Sequence, residues 1–159
     1  MYMYGVCLRT EESKERVSSN KASLHEEKRM NDILDLISKK YDGNIIVHEG
    51  LTIEHAECAR EKIPTQLLAL FIQSNGIEEV MILPDTGEPE PIAWIVYPYK
   101  MILEESIFFQ ETYGIEGAVF ADDGAGSPYY MKNDGRIYYY EPSYEEESFV
   151  AESLEEFFG

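Results

Sequence analysis

The sequence predicts an α+β domain in which helices pack on one face of a mainly antiparallel sheet. Apolar residues recur at helical spacing through the first half of the chain, and after Gly76 the pattern changes to short β-branched and aromatic segments. Turn residues separate these segments, and Asn133-Asp134-Gly135 is a strong hairpin signal. Strands joined by tight turns must run antiparallel, so the helices are left to cover one face of the sheet.

The chain has the size and composition of one domain. Its 159 residues, of which 44% are hydrophobic, are enough to bury a core of their own. A clear amphipathic pattern begins directly after Met30. We therefore predict an N-terminal extension over residues 1–29 and the domain proper over residues 30–159.

Three helices are predicted before Gly76. The first has an apolar face formed by Leu24, Ile33, Leu34, Ile37 and Tyr41. Thr52 is the expected N-cap of the second helix, and Pro64 suits the first position of the third. The third helix carries a core-facing stripe formed by Leu67, Leu68, Phe71 and Ile72.

After Gly76, five strands and two helices are predicted. The strands are expected over residues 80–83, 92–97, 118–121, 129–132 and 136–141. Residues 100–113 return to helical spacing and predict a helix between the second and third of these strands. A closing helix is predicted in the stretch SFVAESLEEFF, with one apolar face formed by Val150, Leu154, Phe157 and Phe158.

The net charge of −18 is concentrated in the later part of the chain. Residues 1–48 contain eight Lys/Arg and eight Asp/Glu, whereas residues 49–159 contain five Lys/Arg and 23 Asp/Glu. Such a surface repels nucleic acid and anionic lipid, and it attracts cationic partners in a salt-dependent way. We expect a basic protein partner, no nucleic acid, no membrane, and a monomer or weak homodimer. The alternative is that the charge serves solubility alone.

A cytoplasmic location is expected. The start of the chain lacks the basic-then-apolar order of a signal peptide, and no apolar run approaches the ~20 residues that cross a bilayer. Cys7 and Cys58 form no recognisable metal-ligand or redox spacing. Both thiols are therefore expected to stay free in a reducing compartment.

The sequence offers no recognisable catalytic pattern. The spacings of a P-loop, an EF-hand and a nucleophile elbow are missing, and His55 with Cys58 supplies only two of the three or four ligands that zinc needs. Asp122 and Asp123, in the stretch FADDGAGSPYYM, are neighbours at a strand end, so their side chains point to opposite sides. We interpret both as turn residues that bond the backbone, beside glycines that supply positive φ. No enzymatic activity, cofactor or metal is expected.

Tyrosines are concentrated near the end of the chain, at positions 129, 130, 138, 139, 140 and 144. Alternation places about half of them on each sheet face, and tyrosine is a usual anchor of protein interfaces. A stacking platform for nucleic acid would need basic grooves, yet residues 118–159 contain only Lys132 and Arg136 as cations. The candidate partner-binding residues are Asp122, Asp123, Tyr138, Tyr140, Glu145, Glu146 and Glu147. The alternative is that the tyrosines pack the core or form an ordinary surface.

Several short motifs follow one another in a fixed order. They are Ile63-Pro64, Asn75-Gly76, Asp123-Gly124-Ala125-Gly126, Tyr130, Gly135 and Val150-Ala151-Glu152-Ser153-Leu154. In this order, over roughly residues 30–159, the chain resembles the SUKH superfamily, which includes fungal cell-wall-assembly regulators and many bacterial immunity proteins.

The resemblance implies an α+β fold without enzymatic activity. Bacterial members look like immunity proteins, which bind and neutralise a cognate toxin that is often a nucleic-acid-active enzyme. Such toxins are commonly cationic because they engage phosphates, which agrees with the acidic excess of this chain. We therefore expect an immunity protein. The alternatives are an intracellular regulatory interaction module without a toxin, and a small-ligand or metal-dependent enzyme that uses Asp122 and Asp123.

Overall fold

The computed structural model describes the backbone from residue 20 to residue 159, with the side chains of residues 28, 29 and 31–159. Residues 1–19, which form most of the predicted extension and include Cys7, lie outside the described residues. The predicted boundary after residue 29 falls within the first helix, and the domain limits stay a prediction.

The described residues form five helices and seven strands. In chain order they are α1 (Asn20–Lys40), β1 (Ile45–Val47), α2 (Ile53–Ala59), α3 (Thr65–Gln73), β2 (Ile77–Ile82), β3 (Pro89–Val96), α4 (Tyr99–Tyr113), β4 (Ala118–Asp122), β5 (Pro128–Met131), β6 (Ile137–Glu141), β7 (Glu146–Ala151) and α5 (Leu154–Phe158).

The strands form two antiparallel sheets, which confirms the α+β fold class. One sheet has the order β1-β2-β3, and the other has the order β4-β5-β6-β7. The N–H of Tyr97 donates to the carbonyl of Phe120 at 2.7 Å, so the end of β3 is tied to β4. The predicted hairpin between β5 and β6 is confirmed, and Gly135 in its turn adopts a φ of +87°.

Helix α3 supplies the centre of the core, with one correction to the prediction. Leu67, Leu70 and Phe71 are fully buried, but Ile72, which was predicted to face the core, is 53% exposed. The buried positions follow the i, i+3, i+4 spacing of one helical face, and this face turns Ile72 toward solvent.

Helix α4 packs against the core and is hydrogen-bonded to β4, the first strand of the second sheet. Ile102 and Phe109 of α4 are buried, and the hydroxyl of Ser106 accepts from the N–H of Val119 at 2.9 Å. Gly114 ends the helix in the left-handed conformation, with a φ of +72°. The loop that follows therefore turns directly into β4.

The predicted closing helix is wrong for residues 148–151, which belong to β7. Phe149 and Val150 favour strands as well as helices, and pairing with β6, in which Phe149 lies opposite Tyr138 and Ala151 opposite Ile137, selects the strand. Helix α5 starts only after Ser153, whose hydroxyl accepts from the N–H of Glu156 at 3.2 Å. Leu154 is buried as predicted.

Two further expectations concern membranes and cysteines. Among the described residues, no helix is both long enough and apolar enough to span a bilayer. Cys58 is disulfide-bonded, so the prediction of a free thiol is wrong for this residue. A disulfide depends on a second cysteine close in space, which spacing along the chain does not reveal. Free thiols therefore no longer support a cytoplasmic location, because disulfides are rare in reducing compartments.

Candidate functional site

The seven candidate residues lie at one end and on one face of the four-stranded sheet. Because its strands are antiparallel, the β4–β5 loop and the β6–β7 turn lie at the same end. We call this region the acidic end, defined by Asp122, Asp123, Glu145 and Glu146. Alternation along β6 and the β6–β7 register place the remaining three on one face. We call it the tyrosine face, defined by Tyr138, Tyr140 and Glu147.

Asp122 ties the β4–β5 loop to the end of β3. One carboxylate oxygen accepts from the N–H of Gly124, and the other accepts from the hydroxyl of Tyr97. Burial, and next the hydrogen bond to Asp122, raise the pKa of Tyr97, so its hydroxyl stays protonated and donating. Gly124 and Gly126 adopt φ values of +83° and +93°, as the turn interpretation requires.

Asp123 holds the same loop closed from within. Its Oδ1 accepts from the N–H of Ala125 at 2.9 Å and of Ser127 at 3.1 Å, and its Oδ2 accepts from the hydroxyl of Tyr139 at 2.8 Å. Partial burial favours a higher pKa for Asp123, but these hydrogen bonds outweigh it and lower the pKa. The carboxylate is therefore ionised and engaged by the loop.

The two neighbouring aspartates thus bond different groups, as expected for residues that point to opposite sides of a strand. Across the part of the chain that the structure describes, no three His, Cys, Asp or Glu side chains are grouped so as to hold a metal ion. The arrangement gives the aspartates a role in loop geometry. It leaves open, as a prediction, whether they also contact a partner.

Tyr138 lies at the centre of the tyrosine face. Its ring stacks on that of Tyr130 with centroids 6.0 Å apart, and the ring of Phe149 meets it edge-on at 5.8 Å. The ammonium of Lys132 lies 4.0 Å from its centroid, a cation–π contact. These neighbours fix the ring and leave it half-buried.

Glu147 anchors the tyrosine face from β7. It accepts from the hydroxyl of the fully buried Tyr130 and, at 2.9 Å, from the ammonium of Lys132. Burial favours a higher pKa for Glu147, but the two donors outweigh it and lower the pKa. Burial first, and then the bond to Glu147, raise the pKa of Tyr130. The phenol therefore stays neutral beside an ionised carboxylate.

A groove of about 590 Å³ opens beside Glu147. Its polar and aromatic lining includes Tyr113, Glu116, Lys132, Asp134, Tyr140 and Glu147. Tyr140 is only 8% exposed and packs against Tyr113, with ring centroids 5.4 Å apart. The lining has three carboxylates, those of Glu116, Asp134 and Glu147, and one cation, Lys132, which already forms an ion pair with Glu147. The groove is therefore negatively charged.

Several residues of this region are not predicted from the sequence. Tyr113, Glu116 and Asp134 come from the end of α4, the loop before β4 and the β5–β6 hairpin, and only the fold brings them together. Tyr144, at the tip of the β6–β7 turn, is 80% exposed beside Glu145, which has a φ of +51°. A tyrosine among glutamates, directly after Pro142-Ser143, was the available signal for an exposed aromatic.

The cations of this part of the chain are largely neutralised internally. Of the five Lys/Arg in residues 49–159, all of them described, three form ion pairs with carboxylates. The pairs are Lys100 with Glu104 at 3.9 Å, Lys132 with Glu147 at 2.9 Å and Arg136 with Glu152 at 3.0 Å. Only Arg60 and Lys62 remain as further cations of residues 49–159, so most of the 23 carboxylates in this range have no Lys or Arg to balance them there.

Comparison with known proteins identifies one family. The model of the SMI1 / KNR4 family (SUKH-1) matches residues 53–159, which contain both sheets apart from β1, the acidic end and the tyrosine face. No curated protein and no solved structure gives a significant match. The resemblance inferred from the ordered motifs is confirmed, because the match covers about two-thirds of the chain: the chain belongs to the SMI1 / KNR4 family (SUKH-1).

Proposed function

We propose that this chain is a non-enzymatic immunity protein that neutralises a basic, nucleic-acid-active bacterial toxin by direct binding. The observation that carries the proposal is the uncompensated acidic surface: 23 Asp/Glu and five Lys/Arg in residues 49–159, three of these cations already paired internally. A toxin that binds phosphates has a cationic surface. The acidic surface of this chain attracts that surface and covers it. Family membership supports the same function.

The acidic end and the negative groove are the proposed contact region. Glu145 and Glu146 are exposed, and among the described residues no Lys or Arg forms an ion pair with either of them. Tyr144 adds an exposed aromatic ring between Glu141 and Glu145 in the β6–β7 hairpin. Aromatic anchors with a charged rim are typical of specific protein interfaces.

The test is co-expression with the product of the adjacent gene, followed by co-purification and a growth assay. The proposal expects a basic partner that inhibits growth when expressed alone and that this chain captures and neutralises. A partner that is captured but harmless would indicate the regulatory module instead. If the chain neither captures the adjacent product nor protects cells from it, the immunity function is wrong.

A matched pair of variants locates the contact. The double variant Glu145→Lys with Glu146→Lys is expected to weaken partner binding about tenfold or more, because each reversed charge faces the basic surface. The control, Asp85→Lys with Glu88→Lys, makes the same charge change in the exposed β2–β3 turn. It is expected to change affinity by about threefold or less through long-range electrostatics alone. Equal losses in both variants would contradict contact at the acidic end.

A further inference from the structure

Strand β7 forms a free edge of the four-stranded sheet. It is the last strand in the order β4-β5-β6-β7, and within the described residues β6 is its only strand partner. Every residue from Glu146 to Val150 is exposed. The backbone N–H and C=O groups on its outer side can therefore pair with an added strand.

The other strands with an open side are protected in ways that β7 is not. Strand β1 has only three residues, and β3 carries Pro89 and Pro91, which lack an N–H to donate. Strand β4 is joined to the end of β3. In contrast, β7 has six residues without proline or glycine, and its register is regular from Glu146 to Phe149.

The charges around this edge favour a basic strand over a second copy of β7. Glu147 and Phe149 lie on the tyrosine face, and Glu146 with Ser148 lies on the opposite face. A second copy of β7 would bring its own glutamates into the same short ladder, which like-charge repulsion opposes. A strand with lysine or arginine at the matching positions gains attraction instead of repulsion.

We propose that β7 accepts an extended basic segment of the partner as an added strand. The segment carries cationic side chains on the face of Glu146 and Ser148. It carries apolar side chains on the face of Phe149, where Glu147 is already paired with Lys132. Main-chain hydrogen bonds supply affinity, and the alternating side chains supply specificity. This inference rests on the proposed function and specifies how the partner binds.

The test measures amide hydrogen exchange across β7 in the full chain, with and without a short end-blocked peptide of alternating lysine and valine. We expect the outward-facing amides between Glu146 and Phe149 to exchange about tenfold more slowly with the peptide present, because they acquire hydrogen-bond partners. The same peptide with a central proline keeps its charge but loses a backbone donor, and it should protect β7 far less. The Glu146→Lys variant should bind the peptide about threefold more weakly, and the control Glu90→Lys should not.

Absence of protection in β7 overturns the inference, whether or not the peptide binds, and so does equal protection by the proline peptide. The outcomes separate this inference from the proposed function. If the toxin is captured while the exchange of β7 is unchanged, strand addition is wrong and the immunity function stands. If the peptide protects β7 but no toxin is bound or neutralised, the edge site stands and the immunity function is wrong.

Discussion

The β4–β5 loop is predicted to depend on one carboxylate, that of Asp123. The substitution Asp123→Ala removes the acceptor of three hydrogen bonds, from the N–H of Ala125, the N–H of Ser127 and the hydroxyl of Tyr139. The glycines that supply the positive φ values of the loop stay in place. The loss therefore isolates what the carboxylate contributes.

The magnitude follows from the number and exposure of these bonds. Each intramolecular hydrogen bond contributes about 0.5–1.5 kcal/mol net, and the lower half of that range applies here because the carboxylate is exposed and water replaces part of each bond. Three bonds give a loss of about 2 kcal/mol in the free energy of unfolding. For a domain of this size, such a loss lowers Tm by about 4–8 °C.

Urea denaturation near neutral pH measures this loss. Asp123→Asn keeps an acceptor oxygen but loses the charge, so we expect about 1 kcal/mol. The control Asp85→Ala removes an exposed turn carboxylate for which no hydrogen bond is found within the described residues, and it should cost about 0.5 kcal/mol or less. If Asp123→Ala costs no more than the control, the account of the loop is wrong.

Three further predictions concern pH and packing. Tyr97 and Tyr130 have raised pKa values, so the stability that their neutral hydroxyls contribute is complete below the ordinary phenol pKa and is lost as the pH rises through the folded values. Ultraviolet titration should show both ionising only as the chain unfolds, and ordinary titration of all tyrosines would contradict this. Glu147→Gln should cost about 1–2 kcal/mol near neutral pH in urea denaturation. Because the pKa of Glu147 is lowered, its contribution is present above the ordinary glutamate pKa and lost as the pH falls through the folded value, so the gap between variant and parent should close in acid. A gap that persists in acid would assign the cost to packing. Gly50→Ala places a Cβ 2.0 Å from a backbone carbonyl oxygen of α3 and should cost about 3 kcal/mol. Gly43→Ala meets no atom within 4 Å and should cost about 1 kcal/mol for its positive φ alone, so equal costs by thermal denaturation would contradict the close approach.

The sequence predicted the fold best where local signals were sufficient. The β5–β6 hairpin follows from Asn133-Asp134-Gly135, and the backbone role of Asp122 and Asp123 follows from the turn chemistry of aspartate beside glycine. In both cases the residues that decide the structure are neighbours along the chain.

Prediction failed where distant parts of the chain decide the structure. Residues 148–151 fit a helix or a strand, and pairing with β6 selects the strand. The exposure of Ile72 depends on which side of α3 the sheets cover. The negative groove is lined by residues far apart in the sequence, such as Tyr113 and Asp134, so no sequence motif predicts it.

The most direct test of the central claim is the affinity of this chain for the adjacent gene product, measured by calorimetry over a series of salt concentrations. If the uncompensated carboxylates bind a basic toxin, the association constant should fall steeply with salt, and the Glu145→Lys, Glu146→Lys variant should reduce both the affinity and the salt dependence. Absence of binding, or an affinity that neither salt nor this variant changes, would contradict the account.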